Sequence, residues 1–159
     1  MNRDNDQVQA FDFQMGHWRV RHRRLKTRLH SADDWEEFDG TANVRPVLGG
    51  LGNVEDQEIC LPGGTYRAIA VRSFDIASGM WAIWWLDGCT PHSLDIPVRG
   101  NFESGVGSFY ADAVFDQTPV RVRFVWLDTT LPSPRWEQAF STDGGKTWET
   151  NWCMQFLRV

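Results

Sequence analysis

The chain is poor in cysteine and tyrosine, carries no net positive charge, and has no long apolar run. Its three cysteines, Cys60, Cys89 and Cys153, are odd in number and widely spaced. With no C-x-x-C pair they suggest neither a disulfide framework nor a thiolate zinc site, and a reducing cytoplasm is the expected compartment. The net charge of −5 argues against a general polyanion binder, whose footprint is basic. No stretch approaches the roughly 18–20 apolar residues that span a bilayer, so no membrane span is expected. The opening "MNRDNDQVQAFDF" lacks the basic and apolar regions of a secretory signal. His17, His22, His30 and His92 never fall in H-x-H or H-x-x-x-H pairs. There is also no H-E-x-x-H, nucleophile elbow or phosphate-binding glycine loop, and no metal or cofactor is expected.

Large rings are abundant: nine Trp and ten Phe stand against two Tyr. Indoles are costly to leave in water and large enough to wall a cavity. Gly and Pro punctuate the chain at "LGGLGN", "LPGG", "ASG", "ESGVG", "DQTP", "LPSP" and "DGG". Strands are predicted between these turns near 16–29, 35–45, 53–60, 65–74, 80–87, 97–103, 107–116, 119–128, 134–141 and 147–158. One helical turn is expected around Asp6–Phe11. The longest irregular stretch, "DGCTPHSLDIP" (87–97), is expected to fold over an opening. Most strands alternate: Val120, Val122, Phe124 and Trp126 against Arg121 and Arg123; Trp148, Thr150, Trp152, Met154 and Phe156 against Glu149, Asn151 and Gln155. One apolar face per strand, with short connections, predicts one all-β domain over 1–159. Its architecture is an antiparallel up-and-down barrel of about ten strands, because an open meander of this length would leave hazardous edges.

The stretch "GHWRVRHRRLKTRL" (16–29) looks like a nucleic-acid arm, but its spacing is that of a strand. Trp18, Val20 and His22 share one face and Arg19, Arg21 and Arg23 the other. Leu25, Thr27 and Leu29 stay on the apolar face only if a β-bulge sits at Arg23–Arg24, which would turn every basic side chain outward. The acidic "DDWEEFDG" (33–40) follows at once, and the pair predicts a hairpin with weak cross-strand ion pairs and no nucleic-acid partner.

Gly16-x-Trp18 opens the first strand and Arg158 ends the last. This resembles the calycin superfamily, the lipocalins and their relatives, where an arginine from the last strand packs on such a tryptophan at the closed end of the barrel. The text "FDFQMGHW … LGGLGNVED … RWEQAFSTDGGKTWETNW" is similar to a group of bacterial lipocalin-like domains with no agreed activity. The resemblance implies a barrel with an internal cavity. Haem asks for only one proximal histidine, which keeps a nitrobindin-like barrel open as an alternative.

"STDGGKTW" (141–148) matches the Asp-box, a hairpin device in which Ser and Asp bond the turn backbone. A propeller would need several copies. "MWAIWWLDG" (80–88) has no polar face before Asp87. Trp81 and Trp85 are expected inside. Trp84 is expected outside, covered by the N-terminal segment or by a second subunit in a homodimer. A small hydrophobic or aromatic ligand is then the expected partner, with Trp85, Phe124, Trp126, Trp136 and Trp152 as walls and Tyr66 and Gln138 orienting it. Arg135 and Glu137 are expected outward as a pair. Two alternatives stand beside binding. One is a cavity enzyme of isomerase or cyclase type, with His22 and Asp87 as base and acid and the Asp87 pKa raised by desolvation. The other is a barrel filled by its own side chains and acting as an interaction module.

Overall fold

The computed structural model describes residues 3–159. A short helix, α1 (Arg3–Val8), and a 3-10 turn at Asp12–Gln14 lead into ten strands. These are β1 (Gly16–Leu25), β2 (Trp35–Val47), β3 (Gly52–Leu61), β4 (Gly64–Asp75), β5 (Met80–Asp87), β6 (Val98–Glu103), β7 (Val106–Phe115), β8 (Thr118–Leu127), β9 (Arg135–Ser141) and β10 (Glu149–Arg158). Each strand pairs antiparallel with the next, and β10 returns to β1, closing a ten-stranded up-and-down barrel of calycin-like form. Closure gives every described strand a neighbour on both sides. Among the described residues no helix is long and apolar enough to cross a membrane.

The seam joins the two ends of the chain in unbroken register, from Trp18 opposite Arg158 to Arg24 opposite Trp152. At its foot the Arg158 guanidinium lies 3.8 Å from the centre of the Trp18 ring and donates to the carbonyls of Met15 and Phe13. The Trp18 indole N–H donates to the Gln14 carbonyl at 2.8 Å. Gly16 adopts φ +109°, and a Cβ there would stand 2.7 Å from the arginine's Nη1. That close approach is the physical reason for glycine two residues before the tryptophan. Arg158→Ala removes a cation–π contact and two charge-assisted bonds. We expect a loss of roughly 1–2 kcal/mol, a fall of a few degrees in Tm by circular dichroism. An unchanged Tm would mean that the seam closes without it.

The alternation of β1 continues through Arg24 with no bulge, contrary to the expectation of a slip at Arg23–Arg24. Arg24 therefore turns inward behind His22, while Arg23 stays outside and stacks on Trp35 at 4.1 Å. In the β1–β2 hairpin Arg21 stands opposite Asp39 and Arg23 opposite Glu37. Among the described residues only Arg24 and Glu36 close as an ion pair there, at 3.3 Å. The slip in register lies on β10, between Thr150 and Trp152. It reverses the predicted faces of the strand's first residues. Trp148 packs outside, 4.3 Å beneath Arg123, while Trp152, Met154 and Phe156 keep the inner face.

The N-terminal segment also departs from expectation. The helix starts earlier than Asp6, and the segment plugs the barrel's closed end instead of covering Trp84. Phe11 enters the core with ring centroids 4.9 Å from both Trp81 and Phe102. The Trp81 N–H donates to the Gln7 carbonyl at 2.8 Å, and the Gln7 amide bonds the Phe102 carbonyl at 2.8 Å. Trp84 faces outward, half-buried, opposite Val71. The Asp-box turn forms as read: Asp143 accepts from the backbone of Lys146 and Thr147, and Ser141 Oγ accepts from Gly145. Arg135 closes on Asp128 at 2.6 Å, with Glu137 at 4.0 Å.

Candidate functional site

Below its midline the barrel is filled by Phe11, Trp18, Trp81, Phe109, Trp126 and Phe156. Above it, the small inward residues Ala113, Val120 and Val122 leave a cavity of about 540 Å³. That volume suits a small organic ligand. Three tryptophans and a phenylalanine wall it, edge to face. Trp136 and Trp152 are 5.7 Å apart at 84°, Trp85 and Trp152 5.8 Å at 82°, and Phe124 and Trp136 4.9 Å at 74°. Such T-shaped contacts set each ring by its neighbour's quadrupole and keep the walls rigid. Leu94 and Ile96, from the irregular stretch after β5, stand at the rim, exposed and apolar. A bridge between Leu86 and Leu94 and a bond from Asp95 N–H to the Trp85 carbonyl fasten that stretch across the mouth.

The cavity is not purely apolar. Arg24 donates to the Tyr66 hydroxyl at 3.2 Å and to Glu36 at 3.3 Å, with its guanidinium 4.9 Å from the Trp152 ring. Burial pushes the Tyr66 pKa up, against the pull of Arg24. The Gln138 amide donates to Asn151, the extra residue of the β10 bulge, at 2.8 Å. Arg28, just past the end of β1, lies over Phe115 and Phe140.

Beneath the shared side chains of Trp85, Phe124 and Trp136 lies a second cavity of about 20 Å³, the room of one water. Glu55, Gln57 and Arg72 line it, all nearly fully buried. Arg72 donates to the Glu55 carboxylate and to Asn53 Oδ1, and the Gln57 amide donates to Glu55. Gln57 Oε1 and Arg72 Nε are buried without a protein partner.

Of the residues singled out from sequence, Tyr66, Trp85, Asp87, Phe124, Trp136, Gln138 and Trp152 meet at the mouth cavity. Trp126 sits deeper, on the small cavity. His22 does not join Asp87. It lies behind Trp152, whose indole N–H donates to His22 Nδ1 at 3.1 Å, and its ring stacks on Phe38 at 4.7 Å. The proton is thereby assigned to Nε2, which faces the space left by Gly40, where a Cβ would stand 3.1 Å away. Burial first, and the charge of Arg24 second, depress the His22 pKa to about 3, so the ring stays neutral. Its one free lone pair is already taken by Trp152. Asp87 Oδ1 accepts from the Cys89 N–H at 2.7 Å and so holds the turn after β5. This geometry gives no support to a His22–Asp87 acid–base couple. A haem on His22 is equally unsupported, because His22 does not line the mouth cavity and its Nδ1 already accepts from Trp152. Among the described residues no three His, Cys, Asp or Glu side chains converge as a metal ligand set.

Sequence reasoning missed Arg24, Arg28, Glu55, Gln57 and Arg72. A signal existed for some of them. Asn53, Glu55 and Gln57 share their spacing with buried Ile59, and Arg72 shares its spacing with Ala70 and Phe74. Uninterrupted alternation on β1 would also have placed Arg24 inside. No family model matches this sequence and no curated protein matches it, so the site is read from its own geometry.

Proposed function

We propose that the protein binds a small, flat, largely apolar molecule in the mouth cavity. The observation that carries this reading is a rigid aromatic box of about 540 Å³ open to solvent above a filled floor. A barrel meant only as an interaction scaffold gains nothing from leaving its upper half unpacked, since interior space without partner atoms forfeits contact energy. Binding also stands ahead of proton-transfer catalysis. The buried histidine is committed to Trp152 and does not line the mouth cavity, and of the two carboxylates that do, Asp87 holds its own turn and Asp95 stands at the rim.

The test is dye binding followed by tryptophan fluorescence, using the naphthalene probes phenylnaphthylamine and anilinonaphthalene sulfonate. At least one should bind saturably and quench tryptophan emission. Ala113→Trp, which fills the cavity from β7, should abolish that binding while leaving a cooperative melt. Equal binding by Ala113→Trp and the parent, or no binding of either probe to the parent, overturns the reading.

A further inference from the structure

We propose that Arg28 is an anion-receiving group in the mouth cavity and that the ligand is an aromatic or polycyclic acid whose acid group faces this guanidinium. The inference rests on the binding function proposed above and narrows its ligand class.

The barrel's other inward or end-closing arginines all have partners. Arg24 is committed to Glu36 and Tyr66, Arg72 to Glu55 and Asn53, and Arg158 to two backbone carbonyls. Arg28 differs. It is half-buried, with its guanidinium carbon 5.4 Å from the Phe115 ring centre and 5.8 Å from that of Phe140. Among the described residues its guanidinium makes no hydrogen bond and no ion pair within 4.0 Å. Two ring faces partly offset the desolvation of a cation, yet they leave its five donors unused.

The neighbouring acids reach it only through space: the charges of Glu149 and Glu36 favour its cation, but Glu36 is bonded to Arg24 and Glu149 accepts the Leu29 backbone N–H at 2.8 Å. Asp87 holds its own turn. Asp95, at the rim, is pushed toward its neutral form by desolvation and then by the Asp87 charge. Burial, with the nearby Arg24 charge, lowers the Arg28 pKa to about 10, which leaves it cationic at neutral pH. A fixed planar fork of donors on an aromatic wall suits a carboxylate or sulfonate attached to a ring system, with the rings against Trp85, Trp136 and Trp152.

The two probes above separate this inference from the binding function itself, because one is anionic and the other is its near-neutral counterpart. In the parent, anilinonaphthalene sulfonate should bind more tightly than phenylnaphthylamine, and naphthoate should displace either dye better than naphthamide. Arg28→Gln should weaken the sulfonate roughly tenfold or more and leave the neutral dye within about twofold. Arg28→Lys should restore part of the difference. Equal weakening of both dyes would make Arg28 a shaper of the cavity and overturn the proposal while the binding reading stands. Equal affinities of the parent for both dyes would do the same. Failure of both dyes to bind sinks the two together. If Arg28→Gln does not fold, salt decides on the parent: sodium chloride should weaken the sulfonate and spare the neutral dye, and identical salt responses overturn the proposal.

Discussion

Replacing Glu55 with alanine lowers stability by roughly 3–5 kcal/mol, about 10 °C in Tm for a chain of this size. Glu55 is 1 % and Arg72 3 % exposed, so the two charges meet inside the barrel wall, out of reach of bulk water. Arg72 has one further polar partner, Asn53 Oδ1 at 2.8 Å, and rests 4.9 Å over Phe11 and 5.5 Å over Trp126. Without Glu55 the guanidinium keeps its charge but loses its counter-ion, and the same burial that strengthens the pair then penalises the remnant. The effect belongs to the broken pair and not to ionic bonding as such. A double replacement of Glu55 and Arg72 by methionine should therefore recover most of the loss. Chemical denaturation of the three variants checks this. A single-variant loss below about 1 kcal/mol would show that water reaches the pair.

Phe11→Ala is the second large expected effect, a loss of roughly 3–5 kcal/mol. The ring is 1 % exposed and touches Trp81 and Phe102 edge-on, with Phe109 stacked 5.8 Å away. Truncation leaves a hole at the closed end that surrounding indoles cannot fill, because β-ladders hold them from both sides. The variant should also release residues 3–14, since Phe11 is their deepest anchor. Faster hydrogen exchange at the Trp81 indole N–H and the Phe102 amide, whose bonds to Gln7 depend on that anchor, would report the release. A loss within about 0.5 kcal/mol would mean the segment is dispensable. The two substitutions share Arg72 as a neighbour, so their energies should not add.

Much of the barrel was legible beforehand because period-two alternation is a local property of a strand. Trp18 and Arg158 were named as its clasp, and they stack. Tyr66, Trp85, Phe124, Trp126, Trp136, Gln138 and Trp152 were expected to line the cavity, and all but Trp126, which sits deeper, border it. His22 was correctly placed inside, but its surroundings were not readable. The partner that occupies its lone pair, Trp152, lies 130 residues away.

Local patterning determined the strands, their order and the apolar faces, since a side chain's facing follows from backbone geometry within a few residues. Tertiary structure alone decided what the interior tolerates. Arg24, Glu55 and Arg72 were read as outward or passed over because an isolated charge belongs in water. Each found an ion-pair partner on the adjacent strand of its own hairpin, closing the sheet buried the pairs, and pairing reversed that preference. The same closure set the bulge on β10 instead of β1 and drew the N-terminal segment into the barrel's end. It also left Arg28 over two aromatic rings with its donors unspent.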